Sequence, residues 1–141
     1  MINMQKYHIS NQNQTDVFVS EFAKSMNPEN IILLNGDLGT GKTYICSKIA
    51  NYFGINDLTS SSFQRVNLHR GKMNLIHCDF YRNSCDNYFF FNEIEPMLSY
   101  PWILLLEWMK PEDFITDYGQ VTEIFIQHKG DCKRELRITK F

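Results

Sequence analysis

The segment from Ile31 to Phe53 constrains the fold of this chain more than any other stretch of its sequence. It begins with the continuous apolar run IILLN, which is typical of a strand buried on both faces. The glycine-rich segment GDLGTGKT follows, and then a helical pattern in which Ile45, Ile49 and Phe53 recur every fourth position. A strand, a glycine-rich turn and a helix in this order are the context of a phosphate-binding loop.

The loop sequence itself fits the pattern G-x-x-x-x-G-K-S/T, with Gly36, Gly41, Lys42 and Thr43 at the fixed positions. Glycine permits the tight backbone turn, including positive φ, that points backbone amides at phosphate oxygens. The Lys42 ammonium would reach the terminal phosphates of a nucleotide, and the Thr43 hydroxyl would hold a hydrated Mg²⁺. We therefore expect contacts to the nucleotide from Asp37, Leu38, Gly39, Thr40, Gly41, Lys42, Thr43 and Tyr44.

The composition argues against a disordered or strongly basic protein. With 141 residues, 43% of them hydrophobic and 14% aromatic, the chain can bury a real core, and we expect a single domain over residues 1–141. The formal net charge of −2 gives no sign of a general nucleic-acid-binding surface. Any contact with RNA is therefore expected to be local or through a partner protein.

Cysteine usage and the N-terminal sequence favour a soluble protein of the cytoplasm. Cys46, Cys78, Cys85 and Cys132 include no C-x-x-C pair, and a nucleotide-binding loop implies a compartment that contains nucleotides. The polar N-terminal sequence MINMQKYHISNQNQ lacks the apolar region of a signal peptide. No apolar run approaches the ~20 residues of a membrane span, so we expect no membrane association.

Hydrophobic periodicity predicts an α/β fold. A first helix is expected at residues 15–26, where Thr15 would cap its start. A second helix is expected to follow the phosphate loop and to end at Gly54. A third is expected at residues 87–98, with a break near Pro96. These elements predict a P-loop NTPase-like mixed sheet, with a parallel centre around the loop, antiparallel additions and flanking helices. The strands are expected at residues 6–10, 31–35, 65–69, 73–80, 102–108, 121–127 and 134–139.

Two acidic residues follow apolar strand patterns and could complete a magnesium–nucleotide site. Glu107 follows the apolar run in WILLLEW, and Asp79 ends the run LIHCD. Either carboxylate could hold the water shell of Mg²⁺ or orient the attacking water. Trp108, next to Glu107, would belong to the core, cover the nucleotide or steer the adjacent carboxylate.

His77 lies two residues before Asp79 and therefore shares a strand face with it. This spacing could make a pair of transition-metal ligands, but the sequence shows no third ligand. A hydrogen-bonding or packing role for His77 is therefore favoured.

Four segments in this order, GDLGTGKT, SSSF, HCDFYR and LLLEW, resemble the TsaE (YjeE) family. Members of this family are small bacterial ATPases that are required for the threonylcarbamoyl modification of the tRNA adenosine beside the anticodon. The phosphate loop is shared with many NTPases, whereas the His-x-Asp-x-Tyr-Arg and Glu-Trp segments are much more specific. The resemblance extends from Ile31 to the terminal hairpin.

The resemblance implies a role for each matching residue. Lys42 would contact phosphate and Thr43 would bind Mg²⁺. Asp79 and Glu107 would belong to the catalytic magnesium site, with Trp108 beside it. The implied catalytic residues are thus Lys42, Asp79 and Glu107, and the implied metal-binding residues are Thr43, Asp79 and Glu107.

The chain departs from the family pattern in three places. Ser60-Ser61-Ser62 replaces the usual Ser-Pro-Thr, although Ser62 keeps the hydroxyl that would sense the γ-phosphate. Without the proline, the loop is expected to be more mobile. Phe80 replaces the usual leucine, and residues 83–99 match the family poorly, which leaves partner contacts in that segment open.

The resemblance also implies cofactors and partners. The family ATPase uses ATP and Mg²⁺ and works with the proteins TsaB and TsaD, which carry out threonylcarbamoyl transfer. It enables or resets that complex and meets tRNA only indirectly, which fits the near-neutral charge of the chain. Slow hydrolysis by the isolated protein is expected, because the sequence shows no arginine finger near the loop.

Other functions remain open on the sequence. A small-molecule or nucleotide kinase of the P-loop class would need an acceptor pocket and an arginine-bearing lid, whereas the arginines here are scattered. A module that binds nucleotide without hydrolysing it is disfavoured by the intact Lys42, Thr43 and Glu107. A GTPase is disfavoured as well, since no Asn-Lys-x-Asp sequence occurs. The arginines are Arg65, Arg70, Arg82, Arg134 and Arg137.

Overall fold

Seven strands form one mixed sheet in the computed structural model, which describes residues 3–58 and 66–141. The strands are β1 Asn3–Ile9, β2 Asn30–Gly36, β3 Val66–His69, β4 Asn74–Asp79, β5 Trp102–Glu107, β6 Gln120–His128 and β7 Arg134–Lys140. They lie in the order β1-β7-β6-β2-β5-β4-β3 across the sheet.

The centre of the sheet is parallel and its edges are antiparallel. β2 lies between β5 and β6 and runs parallel to both, and β4 runs parallel to β5. β3 pairs antiparallel with β4, β7 with β6, and β1 with β7. The predicted P-loop-like mixed sheet, with a parallel centre and antiparallel additions, is confirmed.

Helices cover both faces of this sheet. The described helices are α1 Gln12–Lys24, α2 Lys42–Tyr52, α3 Asn87–Phe89 and α4 Asp113–Thr116. α1 and α2 pack on one face, and α3 and α4 pack on the other. α3 continues through a π-helical turn, Phe90–Ile94, and a 3-10 turn, Glu95–Met97. None of the described helices is both long and apolar enough to cross a membrane.

The apolar runs of the two central strands are buried between these helical layers. Residues 31–34 of β2 and 103–106 of β5 have 0% exposed surface. Alternate residues face opposite sides, so that Ile32 packs with α1 and α2 while Leu33 packs with the α3 and α4 side. A strand covered on both faces needs a continuous apolar run, which is why these two strands could be recognised from the sequence.

The first helix begins earlier than predicted. Oδ1 of Asn11 accepts a hydrogen bond of 2.9 Å from the Gln14 backbone amide, so Asn11 rather than Thr15 is the N-cap. Thr15 lies inside the helix and is 7% exposed. The prediction was wrong because both residue types cap helices and the polar residues between them show no periodicity. The helix ends at Lys24, two residues before the predicted end.

The remaining elements lie close to their predicted positions, with different ends. The first strand is longer than the predicted range 6–10, because its outer residues pair with β7. β5 ends before Trp108, whose φ of +62° leaves the strand conformation. The predicted strands at residues 65–69 and 73–80 correspond to β3 and β4, which pair antiparallel, and the segment 87–98 is helical as predicted over residues 87–97. α4 was not predicted, because its single turn is too short to show hydrophobic periodicity in the sequence.

Candidate nucleotide-binding site

The phosphate loop connects the carboxyl end of β2 to the first residue of α2. β2, β5 and β4 are successive parallel strands, so their carboxyl ends meet at the edge of the sheet where the loop lies. Asp79 and Glu107, the last residues of β4 and β5, are direct partners in register. The topology therefore brings both predicted carboxylates to the phosphate loop.

Two glycines of the loop hold backbone conformations that a side chain would not permit. Gly36 has a φ of +137°, and a Cβ there would lie 2.2 Å from the carbonyl oxygen of Ile126 in β6. Gly41 has a φ of +108° and precedes α2, a helix of eleven residues without a side-chain N-cap. The first backbone amides of α2 are therefore uncapped by any side chain at the loop, an arrangement that suits an anion.

Lys42 is buried and folds back on its own loop. The residue is 5% exposed. Its Nζ donates hydrogen bonds to the carbonyl oxygens of Gly36, at 2.7 Å, and Asp37, at 2.8 Å. The same ammonium lies 4.2 Å from the ring centroid of Trp108. The loop thus carries a cation whose position is fixed by hydrogen bonds and by an aromatic face.

Burial and neighbouring carboxylates act in opposite directions on the Lys42 ammonium. Burial lowers its pKa, and attraction to Glu107, Asp79 and Asp37, in that order, raises it by less. The three carboxylates are therefore close enough to act on the ammonium. Lys42 and the two strand-end carboxylates form one interacting group of charges.

Glu107 is held at both of its carboxylate oxygens. The residue is 1% exposed. Oε1 accepts a hydrogen bond of 2.9 Å from the Thr43 hydroxyl, and Oε2 lies 2.6 Å from Nε2 of His77. The prediction that His77 has a hydrogen-bonding or packing role is confirmed, and its partner is the carboxylate of the neighbouring strand.

Asp79 is more accessible than Glu107. Its Oδ1 accepts a hydrogen bond of 3.0 Å from the backbone amide of Tyr81. Asp79 and Glu107 line a cavity of about 310 Å³ together with Lys42 and Thr43. We name this the charged cavity. It contains, side by side, the four residues that the sequence predicted for phosphate and metal binding.

Three aromatic residues, Tyr44, Tyr81 and Trp108, also line the charged cavity. The ring centroids of Tyr81 and Trp108 lie 5.0 Å apart. Trp108 has a positive φ, which is unusual for a large residue, and its amide donates a hydrogen bond of 3.1 Å to the Leu34 carbonyl. This backbone turn places the indole at the cavity, where it faces Lys42. Trp108 therefore lines the charged cavity and also packs against the hydrophobic core, and its contact with a nucleotide stays a prediction.

A second cavity, of about 350 Å³, adjoins the same loop. Gly41 and Tyr44 line both cavities. The second cavity is also lined by the start of α1 and by β7, with Ile9 and Leu136 among its apolar residues. We name it the side cavity.

Arg134, the first residue of β7, lies in the side cavity against the loop. A Cβ on Gly41 would be 4.0 Å from Nε of Arg134. This Nε is buried and has no hydrogen-bond partner within residues 3–58 and 66–141. The sequence shows no arginine finger near the loop, whereas the fold brings the Arg134 side chain against it. Arg134 is distant from the loop in the sequence, and only the pairing of β7 with β6 brings it there.

Other predicted loop residues stabilise the conformation of the loop. Thr40 is 1% exposed, and its hydroxyl donates a hydrogen bond of 2.9 Å to the Asp37 carbonyl. The Gly39 carbonyl accepts a hydrogen bond of 3.1 Å from Nε2 of His128. Leu38 is exposed and lines the charged cavity.

Tyr44 links the two helices on this face of the sheet. Its hydroxyl donates a hydrogen bond to Oδ1 of Asp16 in α1. Burial, together with the Asp16 carboxylate, raises the pKa of the Tyr44 hydroxyl. Ser62 lies outside the described residues, so its contact with the γ-phosphate stays a prediction.

The fold and the site together define a P-loop protein. A glycine-rich loop joins a buried central strand to a helix, and two neighbouring parallel strands end in acidic residues beside the loop lysine. The chain belongs to the family described as threonylcarbamoyl adenosine biosynthesis protein TsaE, whose model matches residues 9–136. The resemblance inferred from the sequence is confirmed.

Individual relatives agree with this assignment. The chain is 35% identical over 142 residues to the tRNA threonylcarbamoyladenosine biosynthesis protein TsaE of Rickettsia bellii, covering 99% of this chain and 96% of the relative. It is 38% identical over 77 residues to the protein of the same name from Rickettsia prowazekii, covering 52% of this chain and 54% of the relative. The crystal structure of Bacillus subtilis YdiB has a TM-score of 0.70 and 26% identity, and the match covers 99% of this chain and 87% of that one.

Proposed function

We propose that this protein is a magnesium-dependent ATPase of the cytoplasm, which binds and hydrolyses ATP to support the TsaB–TsaD complex in tRNA threonylcarbamoyladenosine modification. The observation that carries the proposal is the hydrogen bond of 2.9 Å from Thr43 to Glu107. It joins the helix after the phosphate loop to the acidic end of β5, and a magnesium–nucleotide site requires these two groups together. Membership of the TsaE family supports the place in tRNA modification.

The phosphates of ATP would bind at the loop and at the start of α2. Backbone amides supply hydrogen-bond donors there, and the helix dipole adds partial positive charge. Phosphate oxygens would be stronger acceptors for the Lys42 ammonium than the two carbonyls that it contacts at 2.7 and 2.8 Å. Little side-chain entropy would be lost on binding, because Lys42 is already buried and hydrogen-bonded.

The oxygen atoms beside the loop suit Mg²⁺. The Thr43 hydroxyl and the carboxylates of Glu107 and Asp79 are hard ligands of the kind that this ion prefers, directly or through water. When bound, Mg²⁺ would neutralise negative charge on the phosphates. Thr43 and Glu107 would hold the ion, because their oxygens are adjacent. The more accessible Asp79 would accept a hydrogen bond from the attacking water.

The side cavity would hold the base and ribose of ATP. Its volume of about 350 Å³ falls in the range of small-ligand pockets, and it shares Gly41 and Tyr44 with the charged cavity. The buried Nε of Arg134, which lacks a partner among the described residues, would gain one from a ribose or phosphate oxygen. ATP would thus span both cavities across the loop.

The macromolecular partner would be a protein complex rather than tRNA itself. A net charge of −2 provides no general attraction for a polyanion. TsaB and TsaD homologues would meet this ATPase and carry out threonylcarbamoyl transfer. ATP hydrolysis here would enable or reset their complex, and tRNA would be met only indirectly.

Phosphate release by the purified protein tests the proposal. We expect release from ATP that requires Mg²⁺ and that rises when TsaB and TsaD homologues are added. Equal turnover with and without these partners would contradict the partner role. Failure to bind ATP in the presence of Mg²⁺ would contradict the ATPase itself. Phosphate transfer to a small acceptor instead of water would indicate a kinase.

A further inference from the structure

We propose that Cys46, His77 and Glu107 form a binding site for a thiophilic divalent metal ion such as Zn²⁺, and that this ion inhibits ATP hydrolysis by drawing Glu107 away from Thr43. The metal binding stands on the geometry of the three side chains. The inhibition rests on the proposed function, so metal binding and inhibition of ATP hydrolysis are tested by separate measurements.

Three ligand atoms converge in the buried part of the molecule next to the charged cavity. One ligand atom from each of Cys46, His77 and Glu107 lies within 4.8 Å of the other two. The three residues are 0%, 0% and 1% exposed. They come from α2, β4 and β5, which pack together in the core. Tetrahedral zinc, with bonds of about 2.0–2.3 Å, places its ligand atoms roughly 3.5 Å apart, so side-chain shifts of about 1 Å would complete the site.

The ligand types favour a transition metal over magnesium. Thiolate and imidazole are good ligands for zinc, cobalt and cadmium, whereas Mg²⁺ prefers oxygen. Cys46 as a thiolate and Glu107 as a carboxylate would balance the two positive charges of the ion, and His77 would add a neutral ligand. A divalent ion would therefore leave no net charge among these groups in the core.

One ring nitrogen of His77 has no partner among the described residues and can take up a proton when the other nitrogen binds the ion. Its Nε2 lies 2.6 Å from Glu107, but its buried Nδ1 has no hydrogen-bond partner in the described part of the chain. Buried polar atoms with a purely structural role normally have partners. When a metal ion takes one ring nitrogen of a histidine, the other nitrogen carries the proton, so His77 can bind the ion as a neutral imidazole.

The charged cavity gives the ion a path to these ligands. Glu107 lines that cavity and also belongs to the cluster. On binding, Sγ of Cys46 would release its proton to solvent as the sulfur–metal bond forms. The hydrogen bond between Nε2 of His77 and Oε2 of Glu107 would be replaced by bonds from both atoms to the ion, and the proton of that hydrogen bond would pass to Nδ1 of His77, which keeps the imidazole neutral. Glu107 would then be withdrawn from Thr43, and ATP hydrolysis would fall.

Cys78 provides a matched control. It follows His77 directly in β4, and it is as buried as Cys46, with 0% exposure for each. Because side chains alternate along a strand, Cys78 packs on the opposite face of the sheet from Cys46. Cys46→Ala and Cys78→Ala each remove one buried thiol, but only the first removes a ligand of the proposed site.

Titration with Co²⁺ tests the binding. The parent protein would carry serine at Cys85 and Cys132, which removes the two cysteines that are not buried. Thiolate-to-cobalt charge-transfer absorption reports coordination by the remaining cysteines, and Zn²⁺ is then added as a competitor. We expect the absorption in the parent and in its Cys78→Ala derivative. Cys46→Ala should remove the absorption and weaken Zn²⁺ binding at least ~100-fold.

Two outcomes of this titration would overturn the proposal. One is the same charge-transfer absorption in Cys46→Ala as in the parent, and the other is no absorption in any of the proteins. Thermal unfolding of each variant establishes that it is folded. Cys46→Ser, which keeps the size of the side chain, should lose the absorption as Cys46→Ala does.

Inhibition is measured separately as phosphate release from ATP, with each protein compared with its own zinc-free rate. Zn²⁺ should slow the parent and Cys78→Ala, and it should slow Cys46→Ala at least ~10-fold less effectively. Equal inhibition of all three proteins would contradict the inhibitory role. Absence of any hydrolysis in the zinc-free parent would contradict the proposed ATPase function and would leave the cobalt absorption unaffected.

Discussion

The two cavities beside the phosphate loop are built in different ways. The charged cavity takes Lys42 and Glu107 from the buried centre of the molecule, where they are 5% and 1% exposed and held by hydrogen bonds. The side cavity is built from the start of α1 and from β7, and the buried Nε of Arg134 lacks a partner among the described residues. In the proposed function, the groups for chemistry would therefore be positioned before the nucleotide binds, whereas contacts to the rest of the nucleotide would be completed on binding.

This difference should separate two kinetic effects. Substitutions in the charged cavity should mainly lower kcat for ATP hydrolysis, and substitutions in the side cavity should mainly raise KM for ATP. If a substitution in the charged cavity mainly raised KM, or one in the side cavity mainly lowered kcat, the two cavities would act as one site.

The largest effect is expected for Glu107→Gln. Glutamine keeps the size of the side chain and can still accept a hydrogen bond from Thr43, but it lacks the negative charge. We expect kcat for phosphate release to fall by about 10²–10³-fold, with ATP affinity changed less than about 3-fold. Glu112→Gln, which neutralises an exposed carboxylate, should change neither quantity. Weaker ATP binding with unchanged kcat would break the comparison.

A smaller loss of turnover is expected for Asp79→Asn. This carboxylate is more accessible than Glu107, and its hydrogen bond to the Tyr81 amide can be kept by asparagine. We expect kcat to fall by about 10–100-fold in the same phosphate-release assay. Asp117→Asn is the control, because Asp117 is exposed. A fall in kcat equal to that of Glu107→Gln would mean that the two carboxylates act as a unit.

For the side cavity, we expect Arg134→Gln to raise KM for ATP by about 10-fold, with kcat within about 3-fold of the unchanged protein. The reason is the loss of a charged hydrogen-bond donor that would face the nucleotide in the proposed function. Lys140→Gln removes the same charge from an exposed position at the other end of β7 and should have no effect. A large loss of kcat in Arg134→Gln would instead place this arginine with the charged cavity.

The smallest effect concerns pH. Because burial lowers the pKa of Lys42 from its ordinary value of 10.5, the ammonium loses its proton at a lower pH than an exposed lysine does. ATP affinity should therefore begin to fall at a lower pH than it would if Lys42 were exposed, since only the protonated form attracts phosphate. Equilibrium ATP binding measures this fall, and Lys42→Arg should abolish it because arginine stays charged. Parallel pH profiles for both proteins would contradict the prediction.

The local part of the site could be predicted from the sequence because the strand, the loop and the helix are contiguous in the chain. Lys42 and Thr43 follow directly from the loop pattern. Asp79 and Glu107 could be placed near them because parallel strands end at one edge of a sheet. These four residues could be assigned to one site without knowledge of the full strand order of the sheet.

The remaining features depend on contacts between distant parts of the chain. Arg134 reaches the loop only through the pairing of β7 with β6, and Cys46 meets His77 only through the packing of α2 on the sheet. The predicted start of α1 was wrong for a different reason, since Asn11 and Thr15 are both suitable caps and no hydrophobic periodicity in the residues between them distinguishes the two. No local sequence pattern predicts the positions of Arg134 and Cys46 or the start of α1.

The backbone turn at Trp108 supplies the protein with an internal optical reporter. Trp102 and Trp108 are the two tryptophans of the chain, one at the start of β5 and the other just after its end. Trp102 is 5% exposed and lies far along the strand from the loop, whereas the indole of Trp108 faces an ammonium 4.2 Å away. A ligand that draws this cation toward itself would change the fluorescence of Trp108 and would leave Trp102 as an internal reference. Occupancy of the loop can therefore be read by spectroscopy without attaching a dye.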